Sequence, residues 1–308
     1  MSKDFRHLKK NIIINKKIFK NRIISSPISI NMAKDGFVTS NIVNFFSNLA
    51  KSGVSMVTIG AAAISKQGND TLNGMIIGPD KYLDKLKKLS ASIKKNGSLS
   101  SIQIYHVGAQ GNPKHNKQEI VGPSEYYYDH IGVKSRSLNI NEIKKLKKEF
   151  VKSILQAHKA NFDFIEIHLA HGYLLHEFLS NFFNKRNDKY GKTLKNRFRL
   201  LSEILENSYN IEPNLRGKIG FRLSANDYVK KGLNVNEVKK IIKLLDNYKP
   251  AYFVITAGLY ETAKYKYLDM KKGLYWEYAK TLKKNTKTPI VAQGGITNLF
   301  DADKLIEK

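Results

Sequence analysis

Short runs of consecutive apolar residues alternate along this chain with longer segments in which apolar residues recur every three or four positions. The short runs have the length of strands buried on both faces, and the longer segments have the period of amphipathic helices. The predicted strands cover 21–29, 54–59, 99–105, 162–167, 218–223, 252–255 and 289–292. The predicted helices cover 39–51, 81–95, a long segment from 139, a segment after 196, 234–245, 276–284 and 300–307. Strands that alternate with helices predict an α/β protein with a parallel sheet.

The length of the chain bounds the number of domains. With 308 residues, it exceeds the roughly 250 residues of a typical (β/α)8 barrel and can form one without a second domain. No composition shift or long linker marks a boundary, so a single domain over 1–308 is predicted. Residues 5–20 contain two short apolar runs around a turn-like Asn15, which predicts a hairpin that caps the bottom of a barrel.

The formal charge of +27 raises the hypothesis of nucleic-acid binding, because basic patches neutralise phosphates. The lysines, however, occur as pairs along the predicted helices, which is typical of solvated outer faces. No arginine-rich arm accompanies them. This distribution argues against specific nucleic-acid binding and leaves the attraction of a phosphorylated cofactor open.

Cysteine is absent, which excludes disulfides, cysteine-ligated zinc, iron–sulfur clusters and a catalytic thiol. No apolar run approaches the ~18 residues of a membrane span. Residues 1–10 lack the apolar core of a signal peptide. A cytoplasmic protein without membrane association is therefore expected.

The stretch 166–200 joins the end of a predicted strand to a cluster of titratable side chains. His168, His171 and Tyr173 follow an apolar run, and the carboxyl ends of parallel strands are where α/β proteins bind ligands. Neutral His and Tyr donate hydrogen bonds to carbonyl oxygens, and Tyr also releases a proton to a carbanion. Ordinary packing is the alternative for each residue alone. Metal binding is the weaker alternative, because no Glu follows the first His and no third ligand is evident.

The residues of this stretch form a long pattern with specific spacing that resembles the signature of the Old Yellow Enzyme family. The pattern comprises His168-x-x-His171-Gly172-Tyr173-Leu174, Phe178-Leu179-Ser180, Asn184-x-Arg186-x-Asp188-x-Tyr190-Gly191 and Asn196-Arg197-x-Arg199. Lys192 stands where the family usually has a second glycine. The resemblance spans essentially the whole chain. It implies an FMN-binding TIM (β/α)8 barrel, of which only about seven βα units are present here.

This resemblance also implies a reaction. Family members reduce the C=C bond of α,β-unsaturated carbonyl compounds with FMN as cofactor and NAD(P)H as electron donor. His168 and His171 are expected to hold the carbonyl oxygen, and Tyr173 is expected to protonate the α-carbon. A small enone is the expected substrate, no metal is expected, and a homo-oligomer is left open.

Seven residues match positions at which the family contacts FMN, namely Pro27, Ser29, Ala61, Gln103, Arg222, Gly294 and Gly295. The resemblance places Ser29, Gln103 and Arg222 beside the polar edge of the flavin ring, and Ala61 against the ring through its main chain. The strand–Gly-Gly–helix junction at 294–295 offers backbone N–H groups to a phosphate. Turn formation, close packing and a salt bridge are the structural alternatives for these residues.

Two long loops, 109–138 and 256–272, are rich in tyrosine. Loops of this length are usually either functional or disordered. In the family the first loop covers the active site, so the aromatic residues 126–128 are expected to line a substrate entrance.

The strand count stops at seven, whereas the family has an eighth strand with a Gly-Arg that completes the phosphate pocket. A second hypothesis is therefore a cofactor-deficient, inactive barrel fragment. From closure geometry we expect the 308-residue chain to be part of a longer protein, to bind FMN weakly and to aggregate. A third hypothesis, a basic nucleic-acid-associated protein, rests on net charge alone.

Overall fold

The computed structural model of the protein describes residues 5–129, 131–262, 273 and 275–307. Its strands are β1 (Ile12–Ile14), β2 (Lys17–Phe19), β3 (Ile24–Ser29), β4 (Met56–Ala63), β5 (Met75–Ile76), β6 (Leu99–Tyr105), β7 (Val121–Gly122), β8 (Tyr126–Tyr128), β9 (Val133–Ser137), β10 (Phe164–Leu169), β11 (Ile219–Ser224), β12 (Phe253–Thr256) and β13 (Ile290–Ala292). Its helices are α1 (Arg6–Lys9), α2 (Ser40–Lys51), α3 (Leu83–Lys95), α4 (Pro113–Asn116), α5 (Ile140–Lys159), α6 (Leu174–Leu179), α7 (Leu194–Ile211), α8 (Val235–Asp246), α9 (Trp276–Lys283) and α10 (Leu299–Glu307). Each predicted strand and helix is present, with its bounds shifted by a few residues.

Seven parallel strands of the central sheet lie in the order β3, β4, β6, β10, β11, β12, β13, which is also their order along the chain, and the short β5 pairs with β4 outside this path. The hydroxyl of Ser26, on the first of these strands, donates to Oε1 of Gln293, just beyond the last, at 3.1 Å. The sheet therefore curls until its two edge strands approach each other. The N–H of Leu8 in α1 also donates to Asp303 in α10 at 2.8 Å. This architecture confirms the predicted barrel fold with seven βα units.

The two faces of the strands bury different groups because side chains alternate along a strand. On β10, Ile165 and Ile167 pack in the apolar layer shared with the helices. Phe164 packs instead in a separate interior cluster with Tyr252 and Phe19, and the Phe164 and Phe19 rings lie 5.5 Å apart. Because Phe19 belongs to the antiparallel hairpin β1–β2, the hairpin closes the amino-terminal end of the barrel as predicted.

The helix starts follow the sequence signals. Asn139 and Glu142 form the predicted capping box at the start of α5, because each side chain satisfies a backbone N–H that the helix leaves unpaired. Thr39 caps α2 by accepting from the N–H of Ile42. Among the described residues, none of the helices is long and apolar enough to cross a bilayer.

Two segments differ from their predictions. Strand β4 continues beyond the predicted end at 59 through Gly60 to Ala63, where it pairs with β5 and β6. The loop 109–138 is not structureless, because β7, β8 and β9 form a small sheet within it. Tyr127 is 57% exposed, whereas Tyr128 is 5% exposed, so only part of the aromatic run is open to solvent. Most of the second predicted loop, residues 263–272, lies outside the described residues.

Candidate active site

His168 is the last residue of β10 on the strand face that points into the barrel. It lies directly opposite Arg222 in the register of β10 with β11. The side chain is buried. Its Nδ1 accepts from the backbone N–H of Ala170 at 3.2 Å, so in the neutral ring the proton is on Nε2. His168 therefore has an N–H donor that its own loop does not use.

His171 adopts a left-handed backbone conformation with φ 61°, which aims its ring at the loop after β12. Nδ1 donates to the carbonyl oxygen of Gly258 at 3.2 Å, and Nε2 lies 3.4 Å from the hydroxyl of Thr256. The backbone N–H of His171 donates to Ser224 Oγ at 3.1 Å. The two histidines face each other edge-on, with 5.6 Å between ring centroids.

Both rings are held neutral. Burial, followed by the charge of Arg222, lowers the pKa of His168 well below its usual value. The same causes lower the pKa of His171 to about 3. Because a buried imidazolium loses its hydration, the neutral form dominates at physiological pH. The site therefore favours neutral histidines as hydrogen-bond donors, as expected from the sequence. The described residues contain no group of three or more His, Cys, Asp or Glu side chains placed to hold a metal.

Tyr173 lies at the start of α6 and is 9% exposed. Its ring packs edge-on against His168, with 4.7 Å between centroids, and against Tyr105 at 5.1 Å. Its hydroxyl donates to Asp70 Oδ2 at 3.2 Å and lies 3.3 Å from the Tyr260 hydroxyl. Burial, followed by the charge of Asp70, raises the pKa of Tyr173 well above its usual value.

A polar layer crosses the barrel interior below the histidines. Gln103 and Glu166 are opposite each other in the register of β6 and β10, and the Gln103 amide donates to Glu166 Oε1 at 2.6 Å. Burial raises the pKa of Glu166, and the nearby Arg222 guanidinium opposes that shift. Buried Nε of Arg222 has no hydrogen-bond partner within the described part of the chain. A buried donor without a partner indicates a place for a ligand acceptor.

Pro27, Ser29 and Ala61 lie where β3 and β4 end side by side. The backbone N–H of Ala61 donates to Ser29 Oγ at 3.1 Å. A Cβ at Gly60 would lie 2.5 Å from Pro27 Cβ and 2.7 Å from the backbone nitrogen of Ile28. The absence of a side chain at Gly60 therefore allows the ends of β3 and β4 to pack closely. This close packing places Pro27 next to the backbone of β4, one residue before Ala61.

Gly294 and Gly295 follow β13 with φ of 87° and 67°, a conformation that glycine adopts without strain. A Cβ at Gly294 would lie 2.5 Å from the ring of Tyr275. Helix α10 starts after them, where Asn298 Oδ1 accepts from the Asp301 N–H at 2.9 Å. The predicted strand–Gly-Gly–helix junction is thus present.

A family model described as the NADH:flavin oxidoreductase / NADH oxidase family matches residues 8–308. The chain belongs to this family. It is 30% identical over 294 residues to an NADH oxidase of Thermoanaerobacter brockii, a match that covers 94% of this chain and 45% of the relative. It is 33% identical over 226 residues to an NADPH dehydrogenase of Bacillus subtilis, covering 73% of this chain and 65% of the relative. The chain spans less than two thirds of the length of these two relatives.

Solved structures share the fold of this NADH:flavin oxidoreductase family member. A complex of 2-naphthoyl-CoA reductase superposes with a TM-score of 0.91 at 24% identity, covering 98% of this chain and 48% of that one. An old yellow enzyme homologue from Zymomonas mobilis superposes with a TM-score of 0.84 at 22% identity, covering 97% of this chain and 85% of that one.

The later part of the family signature builds the loop that supports the site. Arg186 binds Asp188 with 2.6 Å between Nη2 and Oδ2 and donates to the Leu138 carbonyl at 2.6 Å. The Asn184 amide donates to the carbonyls of Phe178 and Tyr190, each at 2.8 Å. Lys192, which departs from the family glycine, has φ 66°. The glycine preference at this position thus follows from its left-handed backbone.

The sequence predicted one site that contains His168, His171, Tyr173, Gln103 and Arg222. In the structure these five side chains lie in one region of the barrel interior. Strand register, ring contacts and electrostatic interactions connect them. Three residues that shape this region were not predicted from the sequence, namely Asp70, Glu166 and Gly258. Glu166 had a detectable signal, because it is a carboxylate in an otherwise apolar strand. Asp70 had none, since its polar loop has no period.

Proposed function

We propose that this protein is an FMN-dependent oxidoreductase that reduces the C=C bond of α,β-unsaturated carbonyl compounds with NAD(P)H as electron donor. The observation that carries the proposal is the contact between His168 and Tyr173 at the carboxyl end of β10. A hydrogen-bond donor for a carbonyl oxygen lies beside a phenol that can donate a proton. The names of the two curated relatives, an NADH oxidase and an NADPH dehydrogenase, agree with the choice of electron donor.

The polar groups of Arg222, Gln103 and Ser29 are suited by their chemistry to a flavin ring. Its pyrimidine edge carries carbonyl oxygens, which match the unpartnered Nε of Arg222 and the hydroxyl of Ser29. Gln103 adds an amide in the same polar layer. We propose that these three residues, with Pro27 and the main chain of Ala61, hold the ring. Gly294 and Gly295 would offer backbone N–H groups to the phosphate.

Bound FMN would supply the hydride for the β-carbon of the alkene. His168 would donate through Nε2 to the carbonyl oxygen, which stabilises the negative charge that develops there. Tyr173 would give its hydroxyl proton to the α-carbon. Closure of the site by the buried rings would keep water from competing for these hydrogen bonds.

The observed hydrogen bonds favour His168 over His171 as the carbonyl donor. His171 uses its N–H on Gly258, and its pKa of about 3 opposes a second proton. We propose that His171 mainly holds the loop after β12 against the site. The donor role expected of both histidines is thereby narrowed to His168 in this proposal. Cytoplasmic location, oligomeric state and the absence of nucleic-acid binding stay predictions.

The test uses the purified full chain with FMN added. Visible absorbance that remains after desalting would show flavin binding. Anaerobic NADH or NADPH should bleach that absorbance, and 2-cyclohexen-1-one should restore it with formation of cyclohexanone. Flavin that is reduced by NAD(P)H but reoxidised only by oxygen, with no saturated ketone formed, would overturn the ene-reductase function.

A further inference from the structure

The carboxylate of Asp70, in the loop after β4, lies between two buried tyrosines. Tyr105 donates its hydroxyl to Asp70 Oδ1 at 2.7 Å, and Tyr173 donates to Oδ2 at 3.2 Å. The Asp70 backbone is also held, because its N–H donates to the Tyr105 hydroxyl at 3.2 Å and its carbonyl is 2.9 Å from Nδ1 of His115. Both carboxylate oxygens are therefore placed by hydroxyl groups at the candidate site.

These contacts fix the direction of the hydroxyl protons. An ionised carboxylate only accepts hydrogen bonds, so Tyr173 directs its proton at Asp70. The Tyr260 hydroxyl, 3.3 Å from that of Tyr173, then donates to it. In this arrangement the proton that the proposed reaction needs is engaged in the hydrogen bond to Asp70.

A second consequence is electrostatic. If Tyr173 gave up its proton alone, a phenolate would form 3.2 Å from the Asp70 carboxylate. Like charges at this separation repel strongly in a site with little water. Burial, followed by the Asp70 charge, already raises the pKa of Tyr173. Release of the Tyr173 proton is therefore favourable only after Asp70 has taken up a proton from solvent, because that proton removes the Asp70 charge and can then pass to Tyr173.

We propose that Asp70 is a positioning residue that passes a proton to Tyr173 during alkene reduction, an inference that rests on the proposed function. The O–H bond of Tyr173 breaks as the C–H bond at the α-carbon forms. The O–H bond of a protonated Asp70 carboxyl breaks as the Tyr173 O–H forms again. Asp70 is left as a carboxylate. Because Asp70 is only half-buried, it takes up its next proton from solvent water. No electrons are transferred in this step.

Other charged and titratable groups face the relay from each packed element. Tyr105 approaches from β6, Tyr260 from the segment after β12, and His115 from α4. Behind Tyr173 lie the His168 ring and the Arg222 charge, whose pKa Tyr173 affects. Of these groups, Asp70 is the one that contacts Tyr173 through a carboxylate oxygen.

The first test replaces Asp70 with asparagine, which still accepts a hydrogen bond but carries no acid proton. Reoxidation of the reduced flavin by 2-cyclohexen-1-one should slow about 10- to 100-fold in Asp70→Asn, while reduction by NAD(P)H should change less than about 2-fold. The matched control is Asp84→Asn, the same change at an exposed site on α3, which should match the wild type in both half-reactions.

Rates in mixtures of H2O and D2O separate a relay from simple support of Tyr173. Two protons that move together give a curved dependence of the rate on the deuterium fraction, and one proton gives a straight line. The wild type should give a curve and Asp70→Asn a line. A line for the wild type, or the same curve for both proteins, would overturn the relay.

A readout that needs neither flavin nor turnover is tyrosine ionisation followed by ultraviolet absorbance. Loss of the Asp70 charge should lower the pKa of Tyr173 in Asp70→Asn, and the difference should shrink when both proteins also carry Tyr173→Phe. Unchanged ionisation would contradict the electrostatic basis of the proposal. A wild type that binds flavin but leaves the enone unreduced would overturn the proposed function and the relay together. A wild type that reduces it no faster than Asp70→Asn would overturn the relay alone.

Discussion

His171 donates through Nδ1 to the carbonyl oxygen of Gly258, with 3.2 Å between the two atoms. A neutral imidazole has one N–H, so Nε2 of this ring is an acceptor. His168 has the opposite arrangement, because its Nδ1 accepts from Ala170 and its proton is on Nε2. Two histidines of one sequence motif therefore present different groups to a ligand.

This difference predicts unequal effects of substitution on the binding of a phenol, followed by its charge-transfer band with bound flavin. His168→Ala should weaken phenol binding about 10-fold or more, the cost of losing a donor to a buried oxyanion. His171→Ala should weaken it less than about 3-fold. His168→Asn keeps an N–H donor and should recover part of the loss. Equal losses in the two alanine variants would contradict the assigned tautomers.

The buried His106 predicts a pH dependence of stability. Burial lowers its pKa to about 3, whereas the unfolded chain binds a proton near the usual value of about 6.5. The unfolded state therefore holds more protons between these values, and the free energy of unfolding falls as pH falls through this window. His106→Gln should make that decline shallower by up to about 1.4 kcal/mol per pH unit.

Urea unfolding at a series of pH values from about 7 to about 4.5 measures this slope, within the window set by the two pKa values. Burial raises the pKa of Glu177 well above its usual value, which acts with the opposite sign, but that contribution is common to both proteins and cancels in the comparison. Identical slopes for His106→Gln and the wild type would contradict the lowered pKa of His106 in the folded protein.

Gly60 predicts a coupling between strand packing and flavin binding. Its added Cβ would lie 2.7 Å from the backbone nitrogen of Ile28, and backbone does not move aside as a flexible side chain does. Gly60→Ala should therefore displace the ends of β3 and β4 and weaken FMN binding, measured by fluorescence titration, about 10-fold or more, given an overpacking cost of ~1–3 kcal/mol.

The control for Gly60→Ala is Gly53→Ala. Gly53 has φ +94°, and a Cβ there meets nothing within 4 Å. The control should lower stability through backbone strain of ~1–3 kcal/mol and leave FMN affinity unchanged. Equal FMN affinities for the two variants would show that Gly60 does not shape the flavin site.

Buried strands and capped helices were predictable because their signals are local. The apolar run of β10 and the capping box of Asn139 and Glu142 each lie within a few residues in the sequence. The extension of β4 was missed because Gly60 and the alanines after it have no side-chain pattern. Their strand character comes from pairing with β5 and β6.

The candidate site was predictable only as far as its motif extends. Its residues could be grouped, but their hydrogen bonds join distant parts of the chain. Asp70 and Tyr173 are separated by 103 positions, and His171 and Gly258 by 87. Such contacts decide tautomers and proton directions, and no local pattern encodes them.

The half-reactions of Tyr173→Phe test whether this protein reduces alkenes with Tyr173 as the proton donor. Stopped-flow absorbance would follow flavin reduction by NAD(P)H and then flavin reoxidation by 2-cyclohexen-1-one. Reduction should be nearly unchanged and reoxidation by the enone should slow roughly 100-fold or more, because only the second step needs the proton. Equal slowing of both steps, or no slowing of reoxidation, would contradict this role of Tyr173.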